Sequence, residues 1–117
     1  MPRPSSSSCG IVFLDRTRAI AQIGATVAGL CARRPDVREV WLYGSLARGD
    51  ATARSDADLL IVVDRDPRRP VDRIPEFLDL LDGIERPCDV VVLTADEWKA
   101  REGGAFHREV TTRGLRL

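Results

Sequence analysis

The chain has 117 residues, 44% of them hydrophobic, and its 18 basic residues balance 18 acidic ones. This length accommodates one domain with one modest core, and zero net charge argues against a protein that follows a nucleic-acid backbone. No apolar run is long enough for a transmembrane helix or a signal peptide, and three widely spaced cysteines fit neither a disulfide framework nor a zinc site. We therefore expect a cytoplasmic domain that contacts neither membrane nor nucleic acid.

The first ten residues, MPRPSSSSCG, are predicted to be a disordered leader, so that the folded domain spans residues 11–117. After this leader, apolar residues recur at helical spacing on a polar and basic background. The members of this stripe are Ile20, Ile23, Val27 and Leu30. The spacing predicts a first helix with one buried face, and Pro35 is expected to stop it.

Two strands are predicted next. The segment VREVWLYG (37–44) is rich in β-branched and aromatic residues, and DADLLIVVD (56–64) contains a continuous apolar run. Such a run is typical of a strand that is buried on both faces of a sheet. The segment between the strands, SLARGDATARS, is expected to be a loop that opens with a short helical turn at Ser45.

The second half of the chain predicts two or three further helices and one more buried strand. Pro75 is expected in the first turn of a helix that carries Phe77, Leu78 and Leu81. CDVVVLT is a third strand, ADEWKARE a short helix, and AFHREVTTRGLRL a last amphipathic segment. The order α-β-β-α-β-α predicts an α/β (α+β) fold, a small mixed sheet of about three strands with helices packed on it.

Three carboxylates occur where the predicted buried strands begin. Asp56 and Asp58 are two residues apart and would share one face of their strand, and Asp89 directly precedes VVVL. If the two strands are parallel neighbours, all three carboxylates meet at one edge of the sheet. Oxygen ligands of this kind suit Mg²⁺ or Mn²⁺ rather than Zn²⁺. The alternative is that Asp56 caps a turn and that the other two are solvated strand ends.

The turn after the first strand has the residue types of a phosphate-binding turn. Gly44 would allow a phosphate to approach the backbone, and Ser45 offers a hydroxyl and an N–H group as donors. If a helical turn starts there, its N-terminal N–H groups also favour an anion. Arg48 follows one turn later. Alone, a Gly-Ser pair is common in turns, and its meaning depends on the aspartates downstream.

The string LYGSLARGDATARSDADLLIVV (42–63) combines both features, with ten residues between Gly-Ser and Asp-Ala-Asp. It resembles the GS-x10-DxD signature of the DNA polymerase β-like nucleotidyltransferases, and in particular their minimal nucleotidyltransferase (MNT) branch. The resemblance implies the palm-like fold of that superfamily. It also implies that Ser45, with Gly44 and Arg48, binds the phosphates of ATP, that Asp56 and Asp58 ligate the metals, and that Asp89 is the third carboxylate.

Members of the MNT branch commonly pair with a small HEPN-domain protein as a toxin–antitoxin system. The resemblance therefore implies an antitoxin that transfers AMP from ATP to a tyrosine of a HEPN toxin, with which it could form a hetero-oligomer. One alternative is a non-catalytic antitoxin that neutralises its partner by occlusion. Another is a nucleotidyltransferase that modifies an antibiotic, which would need an acidic acceptor pocket.

Overall fold

The computed structural model describes residues 3–49 and 56–117, with side chains from residue 16 onward. Residues 50–55, which complete the predicted loop, lie outside the described residues. Within the described ranges, no helix combines the length and hydrophobicity needed to cross a bilayer. The elements, in chain order, are α1 (Arg3–Arg33), β1 (Val37–Tyr43), α2 (Gly44–Arg48), β2 (Ala57–Val63), α3 (Pro70–Leu80), β3 (Cys88–Thr94), α4 (Ala95–Ala100), α5 (Ala105–Arg113) and β4 (Leu115–Arg116).

The four strands form one mixed sheet in the order β3-β2-β1-β4. β2 is antiparallel to β1 and parallel to β3, and β4 is antiparallel to β1. The predicted mixed α/β sheet is thereby confirmed, with one strand more than the three expected. The additional strand, β4, has only two residues and therefore no periodic pattern that a sequence could display. It lies against β1 through Gly114, where a Cβ atom would stand 3.0 Å from the carbonyl oxygen of Leu42.

Helices cover both faces of the sheet. On one face, alternate residues of β1, β2 and β3 pack against α1, α2 and α3 in the larger core cluster. On the other face, the residues in between pack against α4 and α5 in a smaller cluster. β2 runs through the middle of the sheet, and its last five residues are all buried, as predicted from the apolar run.

The first helix buries the predicted stripe. Ile23, Val27 and Leu30 are buried, Ile20 packs against the same core, and the helix ends at Arg33 just before Pro35. Disorder is predicted for residues 1–10, whereas the structure continues α1 back to Arg3. Extending a helix that is already formed costs far less than nucleating one, and serine is only moderately unfavourable in a helix. Residues 1–2 lie outside the described residues.

The third helix begins earlier than expected. Pro70, and not Pro75, occupies its first turn, and Pro75 lies inside the helix. The fixed φ of proline suits any helical position. Proline also lacks a backbone N–H, and this costs no hydrogen bond only in the first turn, where N–H groups have no acceptor within the helix. Phe77 and Leu81 are buried, whereas Leu78 is 39% exposed because it lies on the outer side of α3.

Candidate active site

The chain turns from β1 into α2 at Gly44, the first residue of α2. This residue has a φ of +77°, a conformation that favours glycine. A Cβ atom at this position would stand 2.1 Å from Oδ2 of Asp58. Gly44 is therefore required twice, once for the backbone conformation and once for the space into which the Asp58 carboxylate projects.

Asp58 lies in the middle of a row of three side chains that crosses the sheet. It is paired with Tyr43 on β1 and with Asp89 on β3. Residues paired in register on adjacent strands project from the same face, so the two carboxylates are direct neighbours. Asp56 is exposed and precedes the first residue of β2. The parallel pairing that the sequence analysis set as a condition is present, and it brings Asp58 and Asp89 together.

Negative charge is concentrated at this edge of the sheet. Burial raises the pKa of the Asp58 carboxyl, the charges of Asp89 and Asp56 raise it further, and Arg48 lowers it. Burial, followed by the charges of Asp58 and Asp89, also raises the pKa of Tyr43 to about 12. A cation bound here would relieve the repulsion between the carboxylates.

The donor set fits a magnesium ion that is shared with a phosphate ligand. In the part of the chain that the structure describes, no three His, Cys, Asp or Glu side chains are grouped closely enough to hold a metal ion by themselves. Mg²⁺ usually takes only one or two protein carboxylates and completes its coordination with water and substrate phosphates. The in-register pair of Asp58 and Asp89 offers two such carboxylates.

The short helix α2 begins at Gly44, and its N-cap residue, Tyr43, makes no side-chain capping bond. The N–H groups of its first turn therefore lack that capping partner, beside a half-buried Ser45. Arg48, at the end of α2, donates to Oε2 of Glu109 on α5 at 3.2 Å. It also lies near enough to Asp58 to lower the pKa of that carboxyl. Ser45 and Arg48 are thus brought to the same edge as the carboxylates.

Sequence reasoning missed the residues that hold α2 in place. Arg16 of α1 donates to the carbonyl oxygens of Leu46 and Ala47, at 3.0 and 2.8 Å. Glu109 of α5 holds Arg48 from the other side. Neither Arg16 nor Glu109 belongs to a motif. Arg16 contacts residues 30 and 31 positions further along the chain, and Glu109 contacts Arg48 across 61 positions. No local pattern could have revealed them.

A second polar network, also missed, lies at the opposite end of β2 and β3. Arg73 of α3 is 2% exposed and donates to the carbonyl oxygen of Val92 and to Glu97. Glu97 also completes a capping box with Thr94, and the hydrogen bond from Arg73 is the main reason that its pKa is lowered to about 2. A signal existed, because Arg73 precedes the buried Phe77 by one helical turn and so shares its face.

A cavity of about 460 Å³ lies beside this network. Its lining residues are Asp64, Arg65, Asp66, Pro67, Thr94 and Asp96. Asp64 lies six positions after Asp58, directly beyond the end of β2, which corresponds to about 20 Å at the usual rise per residue. The cavity is therefore distinct from the cluster of carboxylates around Asp58.

Comparison with known proteins identifies the family of the chain. The sequence profile of the family described as nucleotidyltransferase domain matches residues 25–111. A protein of Methanocaldococcus jannaschii that is assigned as a protein adenylyltransferase is 33% identical over 81 residues, which are 69% of this chain and 78% of that protein.

Solved structures show the same fold. A crystal structure from Sulfolobus solfataricus, assigned as a nucleotidyltransferase, superposes with a TM-score of 0.63 at 24% identity, covering 90% of this chain and 84% of the other. A toxin–antitoxin crystallised with AMP-PNP gives a TM-score of 0.57 at 19% identity, covering 79% and 69%. A mutant of the toxin–antitoxin MntA-HpeT gives 0.55 at 21% identity, covering 80% and 69%.

The chain thus combines the nucleotidyltransferase-like fold and the turn at Gly44 with a family match that spans well over half of its length. The relative from Methanocaldococcus jannaschii is matched over most of its own length. On these grounds the chain belongs to the nucleotidyltransferase domain family and is a nucleotidyltransferase.

Proposed function

We propose that this nucleotidyltransferase transfers AMP from ATP to a hydroxyl group of a partner protein, namely a tyrosine of a HEPN-domain toxin, and thereby acts as an antitoxin. The observation that carries the proposal is the in-register pair of Asp58 and Asp89, with Gly44 packed against Asp58. The relative assigned as a protein adenylyltransferase supports the choice of acceptor class. The structural likeness to toxin–antitoxin proteins, one of them crystallised with AMP-PNP, supports the choice of partner and nucleotide.

Each predicted site residue has a role in this reaction. The Gly44–Ser45 turn and Arg48 bind the phosphates of ATP, and Asp56, Asp58 and Asp89 bind Mg²⁺ or Mn²⁺. Such an ion, when bound, neutralises charge on the triphosphate and orients it. Asp89 accepts the proton of the acceptor hydroxyl. The hydroxyl oxygen then forms a bond to the α-phosphorus while the bond from that phosphorus to the bridging oxygen breaks, and pyrophosphate leaves.

The small-molecule alternative gains no support from the position of the acidic cavity. A polycationic acceptor would have to lie beside the carboxylates that bind the nucleotide. The cavity lined by Asp64, Asp66 and Asp96 lies instead at the other end of β2, about 20 Å from Asp58. An acceptor bound there could not reach the α-phosphate.

The test is to incubate the protein with the product of the neighbouring reading frame, which the proposal expects to be a HEPN-domain protein, together with ATP and Mg²⁺, and to measure the intact mass of that partner. We expect the partner to gain the mass of one or more AMP groups. The double variant Asp56→Asn with Asp58→Asn should itself fold normally but leave the partner unmodified. If the double variant still modifies the partner, the catalytic assignment is wrong. If neither protein modifies it but both inhibit the toxin equally, neutralisation occurs by occlusion.

A further inference from the structure

The segment that carries the proposed phosphate-binding residues is too short to hold its own conformation. α2 has only five residues, whereas isolated helices shorter than about 12 residues are marginal in water. Its side chains Leu46 and Ala47 are buried in the larger core, which anchors one side of it. The position of Ser45 and Arg48 therefore depends on contacts that α2 makes with other elements.

Arg16 supplies the most specific of these contacts. The last carbonyl groups of a helix have no partner within the helix, and those of Leu46 and Ala47 accept hydrogen bonds from Nε and Nη2 of Arg16. The planar guanidinium presents both N–H groups in a fixed fork, so a single side chain holds two successive carbonyls. Its positive charge also lies at the negative end of the helix dipole.

The contact joins α1 to the end of α2 where the backbone turns. Gly49 adopts a φ of +86° there, and its N–H donates to the carbonyl oxygen of Ser45 at 3.1 Å. Arg16 lies outside residues 25–111, the part of the chain that matches the family profile. The family match therefore assigns no role to this residue.

We propose that Arg16 is a positioning residue of the nucleotide site, which holds the C-terminal end of α2 so that Ser45 and Arg48 keep their place beside Asp58. The nucleotide part of this inference rests on the proposed function, whereas the hold on α2 does not. Without the guanidinium, the two carbonyls lose charge-assisted hydrogen bonds and the end of α2 frays. ATP then has to order this segment as it binds, and the free-energy cost of that ordering lowers the affinity of the protein for ATP.

The experiment compares Arg16→Ala with Arg18→Ala, which removes an exposed arginine from the same helix. Hydrogen exchange of the amides of residues 46–49 is measured without nucleotide, and the dissociation constant of a non-hydrolysable ATP analogue is measured with Mg²⁺. We expect Arg16→Ala to speed exchange and to weaken binding by about ten-fold each, the net effect of exchanging two hydrogen bonds for bonds to water. Arg18→Ala should stay within two-fold of the wild type.

A third variant separates positioning from general stability. Arg16→Lys keeps the charge but cannot hold both carbonyls in the fork geometry, so its exchange and affinity should fall between the wild type and Arg16→Ala. It also serves if Arg16→Ala fails to fold. Unchanged exchange in the Arg16 variants, or faster exchange with unchanged affinity, overturns the proposal. If the wild type itself binds no ATP analogue, the proposed function fails, and the exchange rates still decide whether Arg16 holds α2.

Discussion

Replacement of Gly44 by alanine should damage the site more than it damages the fold. At a φ of +77°, an alanine is disfavoured by roughly 1 kcal/mol. The added Cβ would also stand 2.1 Å from Oδ2 of Asp58, where Cβ contacts are essentially never under 3.0 Å, so the carboxylate has to move by close to 1 Å. A displacement of this size in a reacting group can lower the rate by about 100-fold. The loss in stability alone would lower the melting temperature by about 5 °C.

Two other glycines separate the strain from the displacement. Gly103 has a φ of +81° and open space around it, so Gly103→Ala adds strain without a clash. Gly24 has open space and lies inside α1, so Gly24→Ala should be neutral or slightly stabilising. We would measure thermal unfolding and the rate of AMP transfer for all three variants. If Gly44→Ala transfers AMP within three-fold of Gly103→Ala, the close approach of Gly44 to Asp58 does not matter for activity, and the reasoning is refuted.

Two predictions concern titration and buried charge. Asp58→Asn should unfold at a higher temperature than the wild type at neutral pH, because the folded state raises the pKa of Asp58. In acid the Asp58 carboxyl is protonated in both the folded and the unfolded state, so the higher melting temperature of the variant should shrink toward that of the wild type as the pH falls toward 3.8. A wild type that melts at the higher temperature at neutral pH would contradict this prediction. Arg73→Met should lose about 3 kcal/mol in urea unfolding, because the Asp66 carboxylate, which is 5% exposed, and the half-buried Glu97 both lose the guanidinium. The ion pair with Arg73 lets Glu97 stabilise the wild type above pH 4.5, and this contribution is lost as the pH falls toward 2. The free energy of unfolding of Arg73→Met should therefore fall less steeply with pH between 4.5 and 2 than that of the wild type. Equal slopes for the two proteins would count against the network.

The parts of the fold that the sequence predicts are those with a local cause. The apolar runs of β2 and β3 are continuous because both faces of these strands are buried, and burial of this kind is visible in five to seven residues. The connection between these strands contains a helix and is long enough for a parallel pairing, but the sequence left that pairing as a condition. The meeting of Asp58 and Asp89 was predicted on that condition, and the structure meets it.

The remaining features depend on contacts between distant parts of the chain. β4 exists because Gly114 lets the chain approach β1, although its own two residues carry no strand pattern. Pro70 and Pro75 are both compatible with a first turn, and tertiary packing of α3 decides between them. Arg16 looks like a solvated arginine in the sequence, because the carbonyl groups that accept its hydrogen bonds lie 30 and 31 residues away.

The direction of β1 explains why the phosphate-binding turn and the carboxylates lie together. In a sheet of parallel strands, ligands bind at the carboxyl ends of the strands, yet Asp58 and Asp89 lie near the start of β2 and β3. Because β1 is antiparallel to β2, its carboxyl end, with Tyr43 and then Gly44, meets the start of the other two strands. If β1 ran parallel to them, the turn would lie at the far end of β2, about 20 Å away. The antiparallel pairing of β1 and β2 is thus the topological condition for the site, and a one-residue slip in that register would turn Asp58 to the opposite face.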